Sequence, residues 1–390
     1  LSYSDRYALI TKWLFWSFSI IFGLSVVLLA SGKLSDLPRF WQTFFQSSLL
    51  LLIVPKLFLA VFALLDDLLR GGKWIVSLFE SPTPPAATEG SNGITRSDFI
   101  AQTGIAVAAL PIVVGSYGII SGAHDYRVRH RKVPIKSLPK SFNGLRIAQL
   151  SDIHSGSFWN KKAVIGGVEM VLNEKPDMIC FTGDLVNNRA IEMKEYGEVF
   201  QKLSAPMGVY SILGNHDYGD YHTWESQAAK TKNLDDLKEI QRQMGWRLLL
   251  DEHITFKEGQ DEISLVGIQN WGAKARFPKY GNLAKALEGT GNSSSKILLS
   301  HDPSHWRAQV LKEGYKDIDL MLSGHTHGAQ FGVETANYRW SPIKLVYEEW
   351  ADLYQEKDQY LYVNRGFGYL GFPGRLGILP EITILELQSV

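Results

Sequence analysis

Two hydrophobic rhythms divide the chain. Up to about residue 123 the apolar residues run on in long stretches, whereas from about His124 they come in short runs separated by polar, amphipathic segments. Leu14 to Ala30 contains no charged residue, and a bilayer core of about 30 Å takes about 20 apolar helical residues to cross. Transmembrane helices are therefore predicted over about 13–30, 44–65 and 99–120, within a membrane region of two to three spans covering 1–123. The second stretch carries Pro55-Lys56 near its middle and stops at Asp66-Asp67. Its proline predicts a kink, and its lysine is expected either to face other helices, a polar group or a water-filled pocket rather than lipid, or to snorkel from a displaced or broken helix. The third stretch contains Gln102, Thr103 and Pro111, and its Gly115, Gly118 and Gly122 offer close-packing positions. Between the second and third lies 80–93, with Pro82, Pro84, Pro85, Ser91 and Gly93, which reads as a solvated linker.

From 124 to 390 the alternation of short apolar runs with amphipathic segments is that of an α/β domain. Strands are predicted at Leu145 to Leu150, Met178 to Phe181, Val209 to Leu213, Ile297 to Leu299 and Ile318 to Leu322, with further strands at Tyr360 to Val363 and Ile382 to Leu387. Helices are predicted at Lys162 to Asn173, Met193 to Leu203 and Leu234 to Met244. The segments Tyr218 to Lys232 and Trp271 to Ser295 read as irregular inserts. Arg127, Arg129, Arg131 and Lys132 alternate with Tyr126, Val128 and His130 as a half-exposed strand does.

The first five predicted strands share a property. Each is followed at once by side chains that can bind a metal: Asp152 and His154, Asp184, Asn215-His216-Asp217, His301, and His325 with His327. Ligand sites in open α/β sheets gather at the carboxyl ends of strands. Asp152 and His154 are two apart, so on an extended exit both can point one way and ligate one metal. Asp184 has two oxygens and can bridge two cations, Asn215 supplies a neutral oxygen, and His301, His325 and His327 supply imidazole nitrogens. Oxygen and nitrogen donors without a thiolate suit Mn, Fe or Zn. Two such ions about 3.5–4 Å apart can acidify a bridging water and polarise a phosphoryl group, so the implied reaction is hydrolysis of a phosphate ester. His216, itself not a ligand, is expected to protonate the leaving alkoxide, and Asp217 to orient its ring. A lone Asp-x-His or Gly-Asp is more often a turn, but Gly-Asn-His-Asp and Gly-His-Thr-His-Gly are more specific. Of the remaining histidines only His222 and His305 lie near enough in sequence to stand behind the ligands.

Composition narrows the partners. The 390 residues carry 40 Lys+Arg and 40 Asp+Glu, a formal net charge of zero, which removes bulk electrostatic attraction to nucleic acid. The single cysteine, Cys180, lies in an apolar run and is expected to be buried. The chain begins with Leu1, as expected of a processed or trimmed product.

Over residues 145–328 these motifs resemble the calcineurin-like metallophosphoesterase family. The resemblance implies a four-layer α/β/β/α sandwich with a dinuclear centre at one edge. It implies Asp152, His154 and His327 as ligands of one metal, Asp184 as the bridge, and Asn215, His301 and His325 as ligands of the other. His216 matches the catalytic histidine. Asn187 stands where some branches have a second aspartate, and the Ser-Asp-Ile-His and Gly-His-Thr-His-Gly-Ala-Gln forms are similar to the bacterial membrane-associated or exported branch. That branch implies a multi-pass protein of the bacterial inner membrane. The segment Thr95-Arg96-Ser97-Asp98-Phe99-Ile100 resembles a degenerate twin-arginine motif, which favours a catalytic domain on the extracytoplasmic side. A domain tethered in this way meets membrane substrates at raised effective concentration, which favours a lipid-linked phosphate ester or pyrophosphate as substrate, while Trp224, Trp246, Trp271, Phe277 and Tyr280 are expected either to pack long loops or to form an amphiphilic rim. The competing expectation is a subunit or scaffold that uses the fold as a binding module for a membrane-protein partner.

Overall fold

The computed structural model describes residues 3–79, 96–274 and 278–390. The predicted linker at 80–93 and Phe277 lie outside them. Two compact units form, 1–118 and 119–390.

The first unit contains three long helices, α1 (Tyr3–Ala30), α2 (Arg39–Ser77) and α3 (Arg96–Ile120). Two of these helical regions, Arg39–Ser77 and Asp98–His124, are long and apolar enough to cross a membrane, whereas the apolar helical stretch of α1 is the shorter Trp16–Ala30. α2 continues as a helix through Pro55. At 1.5 Å per residue it is about 58 Å long, roughly twice a bilayer core. Its surface is inverted relative to a water-soluble bundle, with Val27, Leu57, Ile105 and Val113 all outward. Lipid is the solvent that such a surface suits. Lys56 is not left to the acyl chains alone, because its Nζ lies 4.7 Å from the centroid of the Phe22 ring on α1. Small residues let α2 and α3 approach. A Cβ on Gly104 would meet Phe62 Cβ at 2.9 Å, and one on Gly115 would meet Leu51 Cδ2 at 2.4 Å. Gly122 differs from the expectation of helix packing: it lies in the second unit, where an added Cβ would stand 2.1 Å from the Arg375 carbonyl oxygen.

The second unit is built on β1 (Arg127–Ile135), β2 (Arg146–Leu150), β3 (Met178–Phe181), β4 (Val209–Ser211), β5 (Arg247–Leu248), β6 (Glu252–Glu258), β7 (Asp261–Gly267), β8 (Ser295–Leu299), β9 (Leu320–Ser323), β10 (Val333–Glu334), β11 (Arg339–Trp340), β12 (Asp352–Glu356), β13 (Gln359–Val363) and β14 (Glu381–Ser389). One sheet has the order β1-β14-β2-β3-β4-β5 and the other β12-β13-β9-β8-β7-β6, with β10 and β11 forming a separate ribbon. From β2 to β5 and from β13 to β7 every neighbouring pair is parallel. Parallel strands covered on both faces read as continuous apolar runs, which is why these runs stand out in the sequence.

The period of two sorts their side chains. Ile147, Cys180, Tyr210, Ile297, Leu299, Leu320, Leu322 and Tyr362 form one core between the two sheets. Ala148, Ile179 and Phe181 face outward against Val164, Val168 and Val171 of α4 (Lys161–Asn173). Leu298, Met321, Leu361 and Val363 face outward on the other side against Trp306, Val310, Leu283 and Ala286. The result is an α/β/β/α sandwich. The helix predicted over 193–203 is reduced to a 3-10 turn, Ala190–Met193, and a single α-turn, Gly197–Phe200. The one predicted over 234–244 starts earlier, at Gln227, where the Ser226 hydroxyl accepts the Ala229 N–H at 3.1 Å.

The sheets are also joined by charge. Glu381 of β14 is fully buried; it pairs with the buried Arg365 that follows β13 and accepts hydrogen bonds from the Tyr362 and Thr383 hydroxyls, each at 2.6 Å. Burial works to raise the Glu381 pKa, but the guanidinium groups of Arg365 and Arg129 outweigh it and hold the carboxyl below its ordinary value. Its contribution to stability is therefore present above the unfolded carboxyl pKa and is lost as pH falls through the folded one. Arg365→Gln would leave Glu381 buried without its main countercharge. We expect a loss of about 3–5 kcal/mol in urea unfolding of the purified protein at neutral pH, shrinking towards pH 4 as Glu381 becomes protonated in the variant.

Candidate metal centre

The residues after β2, β3, β4, β8 and β9 are brought together at one end of the sandwich. The chain does not leave those strands extended. Asp152, His154, Asp184, His325 and His327 all have φ between 48° and 70°, a left-handed region uncommon for residues other than glycine. This corrects the extended exit expected after β2: Asp152 and His154 converge through left-handed turns. Such residues cost on the order of 1–3 kcal/mol each unless their surroundings hold them. Here carboxylates and amides of neighbouring loops do so. The His325 N–H donates to Asp152 at 3.0 Å and the His216 N–H to Asp184 Oδ1 at 2.9 Å.

Two glycines make room for these carboxylates. A Cβ on Gly324 would lie 2.2 Å from Asp152 Oδ2, and one on Gly214 would lie 2.2 Å from Asp184 Oδ1. That is the steric reason for the glycines that open the Gly-His-Thr-His-Gly and Gly-Asn-His-Asp motifs.

The ligand-type atoms fall into two groups, Asp152 with His154 and His327, and Asp184 with His301 and His325; within each, the atoms lie within 4.8 Å of one another. In the first, His154 Nε2 is 3.0 Å from His327 Nε2, which is 3.3 Å from Asp152 Oδ1. In the second, His301 Nε2 is 3.2 Å from both Asp184 Oδ2 and His325 Nδ1, and His325 Nδ1 is 2.9 Å from Asn215 Oδ1. Asp184 Oδ2 is also 3.6 Å from His154 Nε2, so one carboxylate oxygen faces both groups. For metal–nitrogen bonds of about 2.1 Å, adjacent donors stand about 3.0–3.4 Å apart. These distances, together with the oxygen and nitrogen donor set, fit two divalent cations.

The electrostatics agree with that. Burial raises the carboxyls of Asp152 and Asp184, but neighbouring imidazoles outweigh it and hold both below the ordinary range. Burial lowers His154 and His325, keeping their nitrogens available as neutral donors. His301 differs, since burial would lower it but Asp184 and Asp152 lift it to about 10. Its Nδ1–H donates to the Thr182 carbonyl at 2.7 Å, which directs Nε2 to the cluster.

His216 is partly exposed beside this cluster, its ring centroid 5.0 Å from that of His154. Its Nδ1–H donates to the Asn187 carbonyl at 2.8 Å. The expected partner, Asp217, does something else. Its carboxylate accepts the backbone N–H groups of Asp184, Leu185, Val186 and Gly214, at 2.8–3.2 Å. Asp217 thus braces the loop at 184–186, and a peptide carbonyl orients the histidine. Of the two more distant histidines, His305 is committed to Ser300 and Gln309, at 2.9 and 2.8 Å, and burial lowers it to about 4. His222 packs edge-on against Trp224.

Residues 145–329 match the family model for calcineurin-like phosphoesterases, and residues 5–123 match the model for a calcineurin-like phosphoesterase transmembrane domain. The chain belongs to the calcineurin-like metallophosphoesterase family. Its relatives include proteins named as transmembrane proteins with a metallophosphoesterase domain. That of Danio rerio is 31% identical over 284 residues, covering 71% of this chain and 61% of its own length, and that of Bos taurus is 32% identical over 283 residues, covering 71% and 60%. An uncharacterised metallophosphoesterase of Bacillus subtilis is 29% identical over 311 residues, covering 76% of this chain and 98% of its own. The chain thus spans about three fifths of the two vertebrate relatives, and with its transmembrane domain it is membrane-associated.

Several supporting groups in this metallophosphoesterase domain carry no motif of their own. Tyr347 Oη meets His325 Nε2 at 2.9 Å and donates to Asp302 at 3.4 Å. Arg375, fully buried, places Nη2 3.3 Å from His327 Nδ1 and donates to the carbonyls of Arg365, Gly366 and Gly368. Asp302, next to His301, was the one that adjacency could have flagged.

Two substitutions test the assembly. Gly324→Ala is expected to remove metal from the first group, read as a loss of about one ion per chain by mass spectrometry. Asp217→Asn is expected to destabilise the loop by about 1–3 kcal/mol and lower metal content, without moving the pH profile of whatever activity remains. A displaced profile would restore Asp217 to the role of orienting His216.

Proposed function

We propose that this protein is a multi-pass, membrane-anchored phosphoesterase with a binuclear metal centre, acting on phosphate esters that include lipid-linked ones. The observation that carries this reading is the single Asp184 oxygen that faces both groups of donors, 3.2 Å from His301 Nε2 and 3.6 Å from His154 Nε2. Two divalent cations of the Mn, Fe or Zn type would supply an acidified water as nucleophile and charge to polarise the phosphoryl group. Asp152, His154 and His327 would hold one ion and Asn215, His301 and His325 the other, with the Asp184 carboxylate placed to serve both. The His216 imidazole, with Nδ1–H tied to the Asn187 carbonyl, delivers a proton from Nε2 to the departing alkoxide. The relatives named as transmembrane proteins support the anchored arrangement. The bacterial inner membrane, with the catalytic unit on its extracytoplasmic side, is the location that the degenerate twin-arginine segment favours.

The test is metal content together with hydrolysis of nitrophenyl phosphate mono- and diesters by the detergent-purified chain. About two ions per chain are expected, with activity lost in Asp184→Asn. His216→Ala should keep its metal and lose about 10²- to 10⁴-fold in kcat, more for an alkyl ester than for the nitrophenyl ester, whose leaving group needs no proton. Protein that stays inactive after Mn, Fe or Zn is restored would sink the proposal in favour of a scaffold for a membrane complex.

A further inference from the structure

Between the second histidine of Gly-His-Thr-His-Gly and β12 the chain makes an excursion through the β10–β11 ribbon and the 342–345 turn. Along it Phe331, Val333, Tyr338, Trp340, Leu345 and Val346 are all exposed, Leu345 to 87%. Large apolar side chains bunched in one surface segment mark a site of contact rather than ordinary surface. They include a tryptophan and a tyrosine, the types enriched at the headgroup level of membranes, and the exposed Lys344 lies among them.

Contacts within the second unit fix what this excursion adjoins. Its ends hang on the candidate metal centre, through Ser341 Oγ donating to the Gly328 carbonyl at 2.6 Å and Tyr347 Oη against His325 Nε2 at 2.9 Å. Its first residues are joined to the 375–377 segment. Phe331 bridges Leu376, and the Gly332 N–H donates to the Leu376 carbonyl at 2.9 Å. The neighbouring Arg375 carbonyl is the group against which Gly122 packs, and Gly122 lies two residues beyond the end of α3. The exposed apolar segment therefore adjoins the point at which the chain enters this unit from an apolar helix long enough to cross a membrane.

We propose that the 331–346 excursion is a bilayer-docking surface that seats the metallophosphoesterase unit on the membrane with the rim of its metal centre at headgroup level. The occupant is the lipid interface, because the polypeptide entering beside this surface comes from the apolar helix itself. Phe331, Val333, Leu345 and Val346 enter the boundary between headgroups and acyl chains, to a depth of about 5–10 Å. Tyr338 and Trp340 lie at the level of the esters, and Lys344 meets anionic phosphate. A phosphate held at the membrane surface then reaches His325 and His327 without leaving the bilayer. The rim expected from Trp224, Trp246, Trp271 and Tyr280 is not this surface: Trp246 is buried in the core, and the Trp224 indole N–H donates to the Gly219 carbonyl at 2.7 Å. The inference concerns the surface and stands whether or not the substrate is a lipid.

The full chain contains one cysteine, Cys180, which is buried, so single cysteines placed at Val333, Leu345 or Lys257 can be labelled selectively with an environment-sensitive fluorophore. Lys257 lies on β6, at the opposite edge of its sheet from β12, and serves as the control. In vesicles of phosphatidylcholine and phosphatidylglycerol, nitroxide lipids with a shallow spin label should quench Val333→Cys and Leu345→Cys several-fold more than Lys257→Cys. Aqueous iodide should show the reverse order. Iodide quenching at 345 equal to that at 257 would overturn the proposal. So would protection from iodide without nitroxide quenching, since that means protein rather than lipid covers the surface. Neither readout needs catalysis, so failure here is separable from failure of the proposed chemistry.

Discussion

A largely buried cluster of carboxylates and imidazoles can form only if several loops turn inward close to the ends of their strands. In this chain that constraint is met by left-handed backbone at Asp152, His154, Asp184, His325 and His327. Each turn is individually unfavourable and is held by polar groups of another loop. Asp152 accepts the amide of His325, Asp184 that of His216, and Asp217 those of three successive residues beginning at Asp184. The cluster is therefore cross-braced: the groups that are candidates to bind cations also pin the turns that present them. Loss of one carboxylate removes both a donor and a clamp.

Much of this was legible because buried parallel strands leave a plain mark. β2, β3, β8 and β9 lie within or overlap the apolar runs that preceded the motifs, and histidines and carboxylates directly after such runs have few other uses. What was not legible depends on atoms that carry no sequence label. The Asn187 and Thr182 carbonyls that direct His216 and His301 are backbone groups that any residue could supply. Tyr347 reaches His325 from twenty-two residues away, and Arg375 reaches His327 from forty-eight. Asp217 was assigned to its neighbour His216 because adjacency in sequence is the only proximity visible there, whereas in the fold four amides outcompete the ring. The helix expected over 193–203 failed because Glu192 turns back to accept the amides of Asn187 and Arg189, drawing the chain into a short capped turn.

The two units resolve opposite solvent problems with similar residue types. In the first, apolar side chains point out and the one lysine inside a predicted span finds an aromatic face. In the second, apolar residues are enclosed in three layers of packing and the charges admitted between the sheets are paired, as Glu381 is with Arg365. The 331–346 segment is the exception, a stretch of the second unit with the surface character of the first. That contrast, more than any single residue, is why it reads as a place where the two solvents meet.

The outer pairing of the first sheet has a consequence for how the protein is made. β1 lies parallel to β14 over nine residues, Arg127 opposite Glu381 through Ile135 opposite Ser389, so the first strand of this unit finds its partner 254 residues later (381 − 127). At about 5–20 residues per second of synthesis, β1 waits on the order of 10–50 s with its edge unsatisfied. Arg127, Arg129 and Arg131 give that edge a basic character, which disfavours pairing with a wrong strand. The contact order that makes this closure slow also ties completion of the first sheet to the last strand: until β14 is made, β1 lacks its neighbour and Arg365 lacks the countercharge of Glu381.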